Sequence, residues 1–182
     1  SNFNNGFNAF SNPAMLSKIK INEYALSYFP MSLDRSIQVI SISRPLPPAA
    51  GISLSYFRVG TDDIKFTDDS NNIIGYGDHS ESYAMISFGT NINKLSIGIN
   101  LKAIFHNLTK DFSSSGIGFD IGGNYEINNT LSFGFLCKDI NSKYLWNDIN
   151  NKVYEEDLPN IYSIGITKKM NYLSIFTQYE SI

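Results

Sequence analysis

The stretch that decides the fold is residues 94–138, KLSIGINLKAIFHNLTKDFSSSGIGFDIGGNYEINNTLSFGFLCK. From Leu95 to Phe105 every odd position is apolar, and most even positions are polar or small. The same alternation returns over 117–127 and again over 131–138. A period of two is the pattern of a β-strand with two unlike faces. The stretch therefore predicts three neighbouring strands that share one apolar face and one polar face.

The connections between these strands have unequal lengths. The break at 107–115 is long and polar, whereas the break at 128–130 is a short turn, Asn-Asn-Thr. Strands of about ten residues that alternate in polarity, joined by short turns and long loops in turn, are typical of outer-membrane β-barrels. The polar face is rich in Gly, Ser and Asn, which fits a barrel interior better than the solvent face of a soluble β-sandwich. A soluble sandwich that acts as a binding module stays open as an alternative.

The whole chain contains nine strand candidates of this kind. With the N-terminal segment (residues 1–21) taken as periplasmic and near the lumen, the long loops all fall on the outer side. The sequence thus predicts an all-β fold, an antiparallel up-and-down transmembrane β-barrel, with its strands within 22–182. The predicted strands are 22–29, 37–44, 52–59, 82–90, 94–106, 116–127, 131–140, 161–168 and 172–180. The predicted outer loops are 31–36, 60–81, 107–115 and 141–160, and the predicted inner turns are 45–51, 91–93, 128–130 and 169–171.

An odd number of strands does not fit a closed single-chain barrel. Bacterial barrels of this kind have an even number of strands. An open edge would leave backbone groups unpaired in lipid, which is very costly. We therefore expect the chain to be part of a larger barrel. The chain starts at Ser1 and shows no signal peptide, so we also expect that the export signal is missing from the sequence.

The composition agrees with a membrane-embedded β-protein. Charged residues make up 17% of the 182 residues, and aromatic residues make up 14%. Soluble domains carry about 25% charged residues, whereas barrels carry aromatic girdles at the two membrane surfaces. The net charge of −3 argues against a nucleic-acid partner. Cys137 is the only cysteine, so it cannot form an internal disulfide, and its parity places it on the apolar face.

Several short runs are similar to a known family. They are Ser-Asn-Pro-Ala at 11–14, Leu-Ser-Tyr at 26–28, Met-Ser-Leu-Asp at 31–34, GISLSY at 51–56, VGTDDI at 59–64 and DINSKYLWN at 139–147. Together they resemble the PorV/PorQ family of outer-membrane β-barrels, which are relatives of the FadL-type transporters. The resemblance covers nearly the whole chain. It implies a barrel of about fourteen strands and places Asn12 and Pro13 in the turn that follows the plug segment.

The resemblance also implies a function. Family members include a protein of the type IX secretion apparatus that binds secreted cargo and docks on the translocon. We therefore expect a non-enzymatic, integral protein of the bacterial outer membrane that serves protein secretion or surface display. Its partners would be membrane lipids, the translocon and cargo, with no cofactor. The alternatives are a FadL-like channel for hydrophobic small molecules and a structural barrel without a transport role.

The polar face carries one predicted ionic row. If the loop 107–115 is centred on Asp111, Lys102 lies directly opposite Asp120. The turn 128–130 would set Asp120 opposite Lys138. Directly opposed side chains on paired strands have Cβ atoms about 4.5–5.5 Å apart. The sequence therefore predicts a lumen row of Lys102, Asp120 and Lys138, which either satisfies interior charge or forms a polar constriction.

The loop 60–81 is acidic but does not match a calcium site. Asp68, Ser70 and Asn72 match the first three ligand positions of a calcium loop. The sixth position is Ile73 where Gly is needed, and the twelfth is His79 where Glu is needed. We therefore predict a solvated acidic loop and no metal site.

No catalytic group is predicted either. His79 and His106 are the only histidines, and no Ser/His/Asp arrangement is legible around them. The outer loops carry the remaining candidates, a partner surface formed by Asp62, Asp63, Tyr144 and Trp146. The alternative for the two aromatic residues is packing at the barrel rim.

Overall fold

A computed structural model describes residues 6–109, 112–147, 153–170 and 174–181. Residues 1–5 of the N-terminal segment and Asp111, the centre of a predicted loop, lie outside the described residues.

The described chain forms one antiparallel sheet of ten strands. Neighbours in sequence are neighbours in the sheet, in the order β1-β2-β3-β4-β5-β6-β7-β9-β10, and β8 pairs with β7 alone. This confirms the predicted all-β, antiparallel, up-and-down fold. The strands are β1 (Glu23–Met31), β2 (Arg35–Leu46), β3 (Ala50–Thr67), β4 (Ile73–Ile92), β5 (Leu95–Thr109), β6 (Phe112–Glu126), β7 (Leu131–Asn147), β8 (Val153–Asp157), β9 (Ile161–Lys169) and β10 (Ser174–Ser181).

The sheet is not closed within the described residues. Among the residues that the structure describes, β1 pairs only with β2, and β10 pairs only with β9. The prediction is wrong about the extent of the outer loops. The end of β7 and the strand β8, Val-Tyr-Glu-Glu-Asp, lie inside the predicted loop 141–160. Most of the predicted loop 60–81 belongs to β3 and β4, and most of the predicted loop 107–115 belongs to β5 and β6. The physical reason is that backbone pairing across a hairpin continues beyond the region where side chains alternate in polarity.

The two ends of the sheet differ. At one end, here called the hairpin end, β1–β2, β3–β4, β5–β6 and β7–β8 are joined. At the other, the turn end, β2–β3, β4–β5, β6–β7 and β9–β10 are joined. The connections are sorted between the two ends as the sequence predicted.

Burial of the side chains is the reverse of that in a water-soluble protein. On β5 the apolar residues Leu95, Ile97, Ile99 and Leu101 are 38–55% exposed, whereas Lys102 is 8% exposed. The same pattern holds on the neighbouring strands. The sheet therefore has an exposed apolar face and a buried polar face, and Cys137 lies on the apolar face because it pairs with Ile121 and Tyr162. The buried polar residues include Ser41, Ser43, Ser53, Ser55, Ser87, Ser96, Asn100, Asp120, Asn124, Ser142 and Ser163.

The N-terminal segment covers the polar face. It contains α1 (Asn8–Ser11) and a 3-10 helix, Pro13–Lys18, which contacts β2 to β6. Ala9, Leu16 and Ile19 pack with Met85 of β4 into a small apolar cluster. Neither helix of the described chain is long and apolar enough to cross a membrane.

Candidate functional site on the polar face of the sheet

A row of four glycines forms the floor beneath the N-terminal segment. Gly51, Gly89, Gly98 and Gly122 lie on β3, β4, β5 and β6, and each is the direct cross-strand partner of the next. Every one of them lies against the segment. A Cβ added to Gly98 would fall 2.6 Å from the carbonyl oxygen of Pro13, and Cβ atoms on the other three would meet Leu16, Pro13 and Asn12. The glycine row therefore lets the backbone of the segment approach the sheet more closely than any side chain would permit.

Asn12 fixes the segment at the end of this row. Its side-chain amide donates hydrogen bonds to the carbonyl oxygens of Gly123 (3.2 Å) and Phe135 (3.1 Å), on β6 and β7. Its Oδ1 accepts the backbone N–H of Ala14 at 3.0 Å, which caps the 3-10 helix. Pro13 occupies the first helical position, where its fixed φ and missing N–H suit the helix. The predicted turn residues Asn12 and Pro13 thus lie on the polar face, in contact with β4 to β7.

Next to the segment lies an ionic triad of the buried Lys102 and Asp120 and the half-buried Asp139. The Lys102 ammonium lies 2.8 Å from Asp120 and also forms an ion pair with Asp139. Asp120 accepts a hydrogen bond from the Asn100 amide (2.9 Å), and the same amide donates to the carbonyl oxygen of Ala9 (3.2 Å). The triad is therefore joined to the N-terminal segment through Asn100.

The predicted row is partly wrong in its register and in its third member. Asp120 lies opposite Asn100, and Lys102 lies opposite Gly118, two residues away from the predicted pairing. The contact between Lys102 and Asp120 is diagonal, and the lysine stem crosses Gly118, where a Cβ would lie 3.0 Å from Lys102 Cε. Lys138 forms no ion pair with any side chain in the described part of the chain.

A distorted stretch of β7 brings in the third member instead. The pairing of β6 with β7 shifts twice, between Ile121 and Phe119 and between Phe119 and Ile117. Asp139 and Asn141 have positive φ angles of 58° and 49°. The N–H of Asp139 donates to Asp120 at 3.0 Å. These β-bulges re-aim the Asp139 side chain toward Lys102, and regular alternation does not predict them.

Aromatic and histidine rings cluster nearer the hairpin end of the polar face. His106 lies 5.2 Å from His79 and 5.1 Å from Trp146, measured between ring centroids. Trp146 also stacks on Phe112 at 5.3 Å, and its Nε1 donates to Glu156 at 2.7 Å. Tyr144 lies 6.0 Å from His106, and its hydroxyl donates to Glu81 at 3.1 Å.

This arrangement corrects the predicted outer-loop positions. Tyr144 and Trp146 belong to β7, not to a loop, and lie on the same face as the buried Ser142. Asp62 and Asp63 belong to β3, at a shift in its pairing with β4. Asp62 forms an ion pair with Arg58 at 2.9 Å.

The tip of the β3–β4 hairpin satisfies Asp68 without a metal. Its carboxylate accepts the N–H of Ser70 (2.9 Å), the N–H of Asn72 (2.8 Å) and the Asn72 amide (3.1 Å). Hydrogen bonds from the Asn72 backbone and side chain, and then from Ser70, lower the pKa of Asp68 below its ordinary 3.8. Within the described ranges, no three His, Cys, Asp or Glu side chains are arranged to hold a metal ion.

A cavity of about 210 Å³ lies on the polar face beside the N-terminal segment. Met15, Leu136 and Phe176 supply apolar walls. Asn124, which is 8% exposed, also lines the cavity, and its side-chain amide nitrogen has no hydrogen-bond partner among the described residues.

Comparison with known proteins identifies the fold. No protein-family model matches this chain, and no curated protein matches it. The chain is similar to the solved structure of OmpT, an outer membrane protein of Vibrio cholerae folded in vitro and seen as a trimer. The TM-score is 0.56, the identity is 9%, and the match covers 88% of this chain and 48% of that chain. The chain therefore has the fold of an outer-membrane β-barrel protein and spans about half the length of the structure that it matches.

Proposed function

We propose that this chain is part of an integral outer-membrane β-barrel whose lumen is filled by its own N-terminal segment. The barrel serves protein secretion or surface display by binding partners at the hairpin end, as the resemblance to the PorV/PorQ family suggests. The observation that carries this proposal is the close packing of the N-terminal segment on the glycine row of the polar face.

The inverted burial of the sheet supports the membrane location. Apolar side chains on the exposed face would contact lipid, and buried polar side chains would line the interior. The unpaired edges of β1 and β10 argue for further strands in the barrel, because unpaired strand edges do not persist in hydrocarbon. β1 and β10 both run from the turn end to the hairpin end, so a direct pairing between them would be parallel. An antiparallel closure therefore takes an odd number of further strands.

Because the polar face is filled, it favours a role in docking partners rather than a role as an open pore. An open channel needs a continuous water-filled path along the polar face. Here the backbone of Pro13 and Ala14 lies directly on Gly98. The buried cluster of Ala9, Leu16, Ile19 and Met85 closes the space around it. In a barrel whose interior is filled in this way, the exposed hairpins are the site at which a partner binds.

A second candidate function is a channel for hydrophobic compounds. The cavity beside the N-terminal segment favours it, because Met15, Leu136 and Phe176 offer an apolar surface there. The segment would then act as a gate, and displacement of the segment would open the path.

One experiment separates these functions. The full-length protein is purified from outer membranes in mild detergent, and the co-purifying proteins and lipids are identified by mass spectrometry. Secreted proteins with a common C-terminal β-domain, or a very large barrel translocon, support the docking role. A bound hydrophobic molecule without a protein partner supports the channel. Extraction of the protein without detergent contradicts both.

A further inference from the structure

The β3–β4 hairpin extends beyond the rest of the sheet as a free two-stranded ribbon, here residues 62–78. The last pairing of β3 with β2 is Thr61 with Arg35, followed by one bond from the N–H of Asp62 to the carbonyl oxygen of Asp34 (3.0 Å). The last pairing of β4 with β5 is Ser80 with Asn107. Beyond these points the two strands pair only with each other among the described residues.

The ribbon presents apolar side chains to the surroundings. Phe66 is 40% exposed, Ile73 51%, Ile74 68% and Tyr76 52%. The ring of Phe66 lies over Gly77, where a Cβ would fall 2.6 Å from its Cε2 atom. An isolated two-stranded ribbon is marginally stable in water. Exposed apolar side chains together with unpaired strand edges are the features of a site for strand addition.

The charge of the ribbon limits what its partner can be. It carries five aspartates and one lysine, Asp62, Asp63, Lys65, Asp68, Asp69 and Asp78. Only Asp62 forms an ion pair, with Arg58, so the other four carboxylates have no cationic partner in the described part of the chain. A second copy of this chain would bring the same negative charge to the contact. A basic partner is therefore favoured.

We propose that the ribbon docks an extended, basic polypeptide segment, which adds as a strand to a free edge of β3 or β4. Its alternate apolar side chains pack on Phe66 or on Ile74 and Tyr76, and its Lys or Arg side chains meet the aspartates. This inference rests on the proposed function, because it names the kind of partner that the hairpin end binds.

The bulge at the base of the ribbon determines which side chains lie on each of its two sides. Two residues, Asp62 and Asp63, oppose a single residue of β4, and Asp63 has a φ of 56°. The N–H of Asp63 donates to the Asp78 carboxylate at 3.1 Å. This bulge exchanges the faces of β3, so that Ile64 and Phe66 lie on the same side as Gly75 and Gly77. Both sides of the ribbon consequently carry apolar side chains.

The test uses the full-length protein in detergent micelles and three fluorescent ten-residue peptides. The first alternates Val and Lys, the second alternates Val and Glu, and the third is the Val–Lys peptide with N-methyl groups on every second amide. We expect the Val–Lys peptide to bind at least about tenfold more tightly than the other two, measured by fluorescence anisotropy. Equal binding of the Lys and Glu peptides, or undiminished binding of the N-methylated peptide, overturns the proposal.

Two variants complete the test. The triple variant Asp63→Asn, Asp69→Asn and Asp78→Asn keeps the shape of the ribbon and removes charge, so it should weaken binding of the Val–Lys peptide about tenfold. Shortening of the hairpin between Asp63 and Asp78 to an Asn-Gly turn should abolish it. Undiminished binding to the shortened variant, or cross-linking of two copies through the ribbon, contradicts the proposal. If the protein requires detergent for extraction yet fails these tests, only the ribbon proposal fails. If it is extracted without detergent, the proposed function itself fails.

Discussion

Gly98 of β5 lies directly against the backbone of Pro13, so that a Cβ at this position would sit 2.6 Å from the Pro13 carbonyl oxygen. This contact joins the N-terminal segment to the middle of the sheet. The segment is therefore packed as part of the folded sheet, because both contacting groups are backbone and no side chain can move aside.

The substitution Gly98→Ala tests this packing. The added methyl group meets backbone atoms, so the segment must shift, at a cost of about 1–3 kcal/mol in the free energy of unfolding. Urea unfolding in detergent micelles measures this loss, and trypsin cleavage at Lys18 and Lys20 should become faster. Gly134→Ala is the matched control, since the nearest atom to a Cβ there is 3.8 Å away. Equal stability of the two variants would show that the segment does not lie on the glycine row.

Asn12 should stabilise the N-terminal segment through both the oxygen and the nitrogen of its side-chain amide. Asn12→Ala removes the cap on Ala14 and the two donated bonds to β6 and β7, and should cost about 0.5–2 kcal/mol from the cap alone. Asn12→Asp keeps the cap acceptor but loses both donors, so its loss reports the contacts with Gly123 and Phe135. Hydrogen exchange of the 3-10 helix measures the effect. Protection in the Asn12→Asp variant equal to that of the unsubstituted protein would refute the role of these two bonds.

Loss of the lysine of the ionic triad should lower the stability of the protein far more than loss of the neighbouring Lys138. Lys102→Met leaves the buried Asp120 and the half-buried Asp139 without their cation and should cost about 3–5 kcal/mol. Lys138→Met, at a position without an ion pair in the described part of the chain, should change the free energy of unfolding by less than about 0.5 kcal/mol. The urea midpoints of the two variants make the comparison. A larger loss of stability for Lys138→Met than for Lys102→Met would contradict the triad and favour the predicted row of Lys102, Asp120 and Lys138.

The hairpin tip should respond to acid through Asp68. Because hydrogen bonds lower the pKa of Asp68, the carboxylate stabilises the tip above the ordinary pKa of 3.8. This contribution is lost as the pH falls through the lowered value. Asn72→Ala removes the side-chain donor and should raise the pKa of Asp68, as measured by an NMR titration of its carboxyl carbon. A pKa that is unchanged in this variant would rule out the Asn72 contribution.

Strand patterns were predictable from the sequence because the polarity of side chains alternates across a sheet with two unlike faces. β8 was missed because Val-Tyr-Glu-Glu-Asp has no such alternation, and its strand conformation depends on pairing with β7. The long ends of β3 and β4 were missed for the same reason. Their residues form strands through cross-strand hydrogen bonds, although Asp and Gly are poor strand formers.

The candidate site was less predictable because it depends on register. The sequence brought Lys102 and Asp120 together through an assumed loop centre, but the observed pairing differs by two residues. Their contact arises because the lysine side chain is long and Gly118 leaves room for it. The glycine row is harder to predict from the sequence. Its four glycines lie on separate strands, and they are recognised as one surface only when the register of three strand pairs is known.

The membrane-embedded barrel is tested most directly at the two faces of β5. Spin labels are placed one at a time at positions 97–103 of the full-length protein in liposomes, with Cys137 replaced by Ser. Power saturation then compares collisions with oxygen, which partitions into lipid, and with a water-soluble nickel chelate. We expect oxygen accessibility to rise at Ile97, Ile99 and Leu101 and to fall at the even positions between them. High accessibility to the nickel chelate at the odd positions would place the apolar face in water and contradict the barrel.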